Sequence, residues 1–106
     1  MKQQLPIRLL PAPRSETTEL LFRVFGDVLV PVDRVRAHYF RNLNEDTFAT
    51  VLASLRLPVA KVTLEDSKKA LQYIDIRYLA ALIDARSAQA DEDLHRKLTP
   101  ETTEAT

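Results

Sequence analysis

The chain has 106 residues, with 15 bases against 15 acids, and its formal net charge is zero. That length fits one small domain with tails, and 45% hydrophobic with 28% charged residues is ordinary for a soluble globular chain. The absence of cysteine excludes disulfides, thiol catalysis and cysteine metal sites, and it fits a reducing cytoplasm.

Residues 1–14 read as an irregular, proline-rich lead, since Pro6, Pro11 and Pro13 interrupt it. It has no continuous apolar segment and so makes a poor signal peptide. A short helix is expected next, capped by Ser15 or Thr17, with Leu20, Leu21, Val24 and Phe25 at helical spacing. Gly26, the one glycine, stands where a helix C-cap needs positive φ. Residues 27–30 read as a brief strand ended by Pro31.

A second helix is expected over residues 32–41. Val32, Val35, Tyr39 and Phe40 form its apolar stripe, and Arg34, Arg36 and Arg41 lie off it. Asn42 and Leu43 make a turn. Asn44 is an N-cap candidate because its side chain can accept a free amide of the first turn. Leu43 and Phe48 stand at hydrophobic-staple positions around that cap, and Glu45 and Asp46 complement the helix dipole. Phe48, Val51, Leu52 and Leu55 give a clean i, i+3, i+4, i+7 stripe, with Thr47, Thr50, Ala53 and Ser54 on the far face.

Pro58 ends that helix. Residues 59–64 and 71–76 alternate as two strands of a hairpin. Val62 and Leu64 are expected to share a face with Ile74 and Ile76, with Lys61 and Tyr73 pointing the other way. The polar connection over residues 65–70 has no glycine, so a loop longer than two residues is expected. Asp75 can cap a last helix whose core face is Ile76, Leu79, Ala80 and Ile83, continuing through Ala90, Leu94 and Leu98. Residues 99–106 have the composition of a disordered tail. Helix, turn, helix, hairpin, helix is the plan of a winged helix-turn-helix. The expected fold class is α+β, mainly helical, with a two-stranded β-hairpin wing and a C-terminal helix over residues 15–98.

Charge is unevenly spread. Residues 34–86 hold nine bases against six acids, and residues 87–106 hold two bases against five acids. A basic middle and an acidic end permit nucleic-acid binding without requiring it. In a helix-turn-helix the second helix enters the major groove, and here its outward residues are Thr47, Thr50 and Ser54. Small hydroxyl side chains allow close approach and can bond bases or phosphates; the bland alternative is an ordinary exposed helix face. Lys68 and Lys69, with Ser67 at the hairpin tip and Lys61 on its outer face, suit a wing lying along phosphates. The bland alternative there is a solvated loop, in which Glu65 and Asp66 partly cancel the lysines. Arg34, Arg36 and Arg41 are candidates to clamp the backbone from the first helix of the pair, or else a solvated face.

His38 and His95 lack ligand-spaced partners, so no metal site is expected. The acidic runs lack calcium-loop spacing, one glycine cannot build a phosphate loop, and no nucleophile stands beside a base. The sequence is therefore read as that of a protein without cofactor or enzymatic activity.

Several segments together are similar to the pyocin activator protein family (PrtN), small regulators of phage-tail bacteriocin and prophage genes. They are Val30-Pro31-Val32-Asp33 with Val35, Tyr39-Phe40, Leu57-Pro58-Val59, Ser67-x-Lys69 and Leu79-Ala80-Ala81-x-Ile83-Asp84. The likeness runs from about Thr18 to Arg86. The proline-rich lead is outside it, and Glu45-Asp46-Thr47 replaces a Pro-Glu-Lys-like helix start. The resemblance implies a DNA-binding transcriptional activator in the bacterial cytoplasm, associated with the nucleoid. Small winged-helix proteins of this plan also serve phages as excisionases, which bend attachment-site DNA. The expected partners are double-stranded DNA, further copies of the chain meeting through the helix over residues 76–98, and RNA polymerase or integrase, with no membrane. A phage inhibitor acting by protein–protein contact is the alternative from another class.

Overall fold

A computed structural model describes residues 10–98 of the chain. Its elements run α1 (Ser15–Phe25), β1 (Leu29–Pro31), α2 (Val32–Tyr39), α3 (Glu45–Ala53), β2 (Lys61–Val62), β3 (Tyr73–Asp75) and α4 (Ile76–Leu98). The three strands form one antiparallel sheet in the order β1-β3-β2. This is a winged helix-like α+β fold, with the hairpin wing and C-terminal helix that the sequence leads one to expect. The hairpin gains a third strand, because β1 pairs with β3 along its other edge. The tail over residues 99–106 and the first nine residues of the lead lie outside the described residues; residues 11–14 have no regular secondary structure.

The core is aliphatic with two phenylalanines. Phe48, Ile74, Val30 and Val35 are the largest side chains wholly shut from water. Leu21 and Phe25 bring α1 onto them, Leu52 brings α3, and Leu79 and Ala80 bring α4. The rings of Phe40 and Phe48 lie 5.0 Å apart and join the turn after α2 to α3. Two bonds outside the strands lengthen the β1–β3 ladder: Ile76 donates to the Val28 carbonyl and Val32 to the Gln72 carbonyl. Pro31 is tolerated because β1 is an edge strand.

Two capping expectations hold. Gly26 adopts φ 78° and its amide donates to the Phe22 carbonyl at 2.7 Å, the left-handed helix end that glycine reaches without steric cost. Asp75 closes β3 and opens α4: its Oδ1 accepts from the Arg77 amide at 2.8 Å, and the Arg77 guanidinium straddles the same carboxylate.

The start of α1 differs from expectation. Neither Ser15 nor Thr17 caps the helix; the N-cap position is Arg14, without a side-chain bond. A residue 67 positions from Thr17 completes this end instead. Asp84 of α4 accepts from the Arg14 amide at 2.8 Å and from the buried Thr17 hydroxyl at 2.7 Å. The Arg14 amide first, then the Thr17 hydroxyl, hold the Asp84 carboxyl below the usual carboxylate value. Asp84→Ala leaves a buried hydroxyl without its acceptor, at a cost of about 1–3 kcal/mol. Its thermal midpoint is therefore expected to fall below the parent's at neutral pH. Because the folded-state value is depressed, this stabilisation is complete above the ordinary carboxylate range. It disappears as pH falls through that range towards the lowered value, so melts of parent and variant should converge in acid.

Several apolar residues assigned to the core lie outside it. Leu20 and Val24 are exposed, and α1 turns Thr17, Leu21 and Phe25 inward. Tyr39 is also exposed, standing edge-on to Phe25 and His38, and α2 ends there and not at Arg41. The wing register is shifted by one residue: Lys61 pairs with Ile74 and Val62 with Tyr73. Cross-strand partners share a face, so Val62 lies with Tyr73 and not with Ile74. Leu64 is outside any strand and exposed, and Ile76 begins α4.

Candidate nucleic-acid interface

The turn joining α2 to α3 is built from short-range bonds. The Phe40 amide donates to the Arg36 carbonyl, and the Leu43 amide to the Phe40 carbonyl. Asn44 then caps α3, its side-chain oxygen accepting from the Thr47 amide at 2.8 Å, and Leu43 packs against the same core as Phe48. Arg36 ties this corner together. Its Nε donates to Asp33 Oδ1 at 2.8 Å and its Nη1 to the Leu43 carbonyl at 3.0 Å, and its side chain is only 21% exposed. The Arg36 bond holds the Asp33 carboxyl below its ordinary value.

Phe48, Val51 and Leu52 lock α3 onto the core, so its remaining face is open. Asp46, Thr47, Ala49, Thr50, Ala53 and Ser54 are all exposed. Helical spacing puts Asp46, Thr50 and Ala53 in one outward row, flanked by Thr47 and Ser54. The Thr50 hydroxyl donates to the Asp46 carbonyl at 3.0 Å, and the Ser54 hydroxyl to the Val51 carbonyl at 3.0 Å. Each oxygen keeps lone pairs facing out, so the two can accept from an incoming group as they stand and donate only after rotating.

The C-terminal end of α3 has a feature that the sequence hides. Leu55 has φ 64°, and the amides of Leu55 and Arg56 donate to the Leu52 and Val51 carbonyls. This is a Schellman motif with leucine where glycine is usual. Leu55 is thus 65% exposed beyond the helix and is not the last member of its apolar stripe. Leu55→Gly is expected to stabilise the protein by up to about 1 kcal/mol, since the left-handed conformation strains a side chain and not glycine. Denaturant melts check this as a higher midpoint at unchanged slope.

Exposed cations lie before and after α3 in the chain and on the wing. Arg41 is exposed in the turn before α3 and Arg56 in the turn after it. The wing contributes exposed Lys61, Lys68 and Lys69. Its tip is a hydrogen-bonded turn: the Ala70 amide donates to the Ser67 carbonyl, and the Lys69 amide to the Ser67 hydroxyl, each at 3.0 Å. Ser67 thereby fixes the two lysines on one turn. Arg34 stands apart. It donates to the Phe25 carbonyl at 3.1 Å and lies over the Phe25 ring at 5.3 Å, closing the C-terminal end of α1.

Sequence reasoning passed over Arg56 and Asp46 as site residues. The non-glycine helix end concealed the turn that presents Arg56. Asp46 was read for the helix dipole and as counting against phosphate contact, although its position four residues before Thr50 places it in the same outward row. Among the described residues no three His, Asp or Glu side chains gather as a metal site, and no helix is long and apolar enough to cross a membrane.

No curated protein and no solved structure matches the chain. The family model of the pyocin activator protein PrtN matches residues 17–90. The matched stretch begins at the Thr17 hydroxyl held by Asp84, takes in α2, α3 and the whole sheet, and ends inside α4. With so much of the chain covered, the protein belongs to the pyocin activator protein PrtN family, a family of regulators and not of enzymes.

Proposed function

We propose that the protein is a sequence-specific DNA-binding regulator of phage or prophage genes, acting as a transcriptional activator. The observation that carries this reading is the open outward face of α3, seated by Asn44 and Phe48, with exposed cations before and after it in the chain. A helix held this way fits the major groove. In this reading Thr47, Thr50 and Ser54 approach base edges. Asp46 is repelled by phosphates and is suited to accept from the exocyclic amine of cytosine. Lys68 and Lys69 with Lys61, and Arg41 with Arg56, contact phosphates and fix the register without reading sequence. Arg36 and Arg34 act as positioning residues, because their guanidinium groups are engaged at the helix corner and at the end of α1.

One small module of this kind binds weakly, so copies are expected to bind side by side on repeated sites. RNA polymerase is the proposed further partner of an activator, and integrase that of an excisionase. Footprinting on the DNA around the protein's own gene tests the reading. Protection of a promoter is the expected result. Protection of attachment-site arms would instead make it a recombination directionality factor that bends DNA. A chain without DNA affinity would act through protein contacts alone.

A further inference from the structure

Among the described residues two positions have left-handed backbone, Gly26 and Leu55, and each ends a helix. Gly26 closes α1 with open space where a side chain would stand, so the backbone alone calls for glycine there. Leu55 closes α3 in the same conformation, which a side chain disfavours. The fold gains nothing from leucine at this place. Leu55 is 65% exposed, and the bonds of the helix end are made by main-chain amides, which glycine would make equally well. A strained backbone kept under an exposed side chain points to a contact outside the fold.

The surroundings select what Leu55 touches. It follows Ser54, the last hydroxyl proposed to approach base edges, and precedes the exposed Arg56. The acids of α3, Glu45 and Asp46, stand at the other end of the helix, in its first turn. From Thr47 to Leu64 the sequence has two bases, Arg56 and Lys61, and no acid. The C-terminal end of α3 is therefore the end that phosphates attract. Among the groups that base edges present in the major groove, the 5-methyl of thymine is the apolar one. An aliphatic side chain held in water at this end of a reading helix matches that methyl in chemistry and size.

We infer that Leu55 is a specificity-determining residue that packs against the 5-methyl group of a thymine in the bound DNA site, with Arg56 on a neighbouring phosphate. This rests on the reading of α3 as the helix that enters the major groove, and it adds the base that the end of that helix selects. It also accounts for the strained residue. Glycine would end the helix at lower cost and leave the methyl uncovered, so stability is given up here for a contact that exists only on DNA.

The test replaces the thymines of the footprinted site one at a time by deoxyuridine, which removes the methyl and keeps every hydrogen-bonding group. In gel-shift titrations the parent's affinity should fall about fourfold at one of these positions, the worth of one buried methyl. Leu55→Gly should bind the intact site more weakly by a similar factor and lose nothing further at that deoxyuridine, although it melts above the parent. Leu55→Asn serves as the second variant, because asparagine also tolerates the left-handed backbone and keeps the turn closed. It should match Leu55→Gly in binding, since it too lacks the apolar contact. Absence of any deoxyuridine response that Leu55→Gly abolishes, or a Leu55→Asn protein that binds like the parent, would overturn the inference and leave the DNA-binding reading standing. A parent without affinity for DNA would overturn both.

Discussion

Phe48→Ala is expected to unfold much of the population at room temperature. Phe48 is 1% exposed and fills the space between α3 and the Phe40 ring. Deleting a buried aromatic costs about 3–5 kcal/mol, through the lost transfer energy and the cavity left behind. A domain of this size has a total stability at the low end of about 5–15 kcal/mol. Little margin then remains. The loss falls on the helix that also bears the proposed reading face, so DNA binding should disappear with the fold. Circular dichroism melts show it as a collapse of the thermal midpoint. A variant melting within a few degrees of the parent would mean that Phe48 is not the anchor of α3.

Thr50→Asp should act in the opposite manner, abolishing site selection while leaving the fold. Thr50 is exposed in the middle of the outward row of α3. The new carboxylate sits four residues from Asp46, and a like-charge pair at that spacing costs only about 0.2–0.5 kcal/mol. Against phosphates and the acceptor atoms of base edges the same carboxylate would be repelled, where the Thr50 hydroxyl can donate after rotating. The comparison needs a thermal melt beside a gel-shift titration on the footprinted site. A Thr50→Asp protein that melts normally and still selects its site would show that base reading lies elsewhere on the molecule.

Local signals in the sequence were enough to find every helix among the described residues and the order of elements. The α3 cap illustrates why: Asn44, Glu45, Asp46 and the Phe48 stripe all act within one or two turns, so each can be read from spacing alone. The features that escaped depend on distant partners or on backbone geometry without a usual residue. Thr17 looked like a cap, and its bond to Asp84 depends on how α1 crosses α4. Leu20 and Val24 fit a helical stripe, but α1 touches the body along a narrower face than the stripe suggests. The hairpin register slipped because β2 is two residues long and its loop has no turn signature to fix the pairing. For the candidate interface, composition and spacing singled out Thr47, Thr50, Ser54, Lys68 and Lys69, and the structure finds all of them exposed. The bonds holding Arg34 and Arg36 within the fold were not visible, because both donate to carbonyls outside their own helix.

Affinity for duplex DNA as a function of salt, measured for the parent and for Lys68→Ala with Lys69→Ala, tests the central claim most directly. Each phosphate contact releases condensed counterions, so log affinity should fall linearly with log salt. The double variant should bind all sequences more weakly and show a slope shallower by about 2, because the wing lysines position without specifying. Absence of binding by the parent at low salt on prophage DNA would contradict the DNA-binding reading altogether. A double variant with the parent's affinity and slope would remove the wing from the interface.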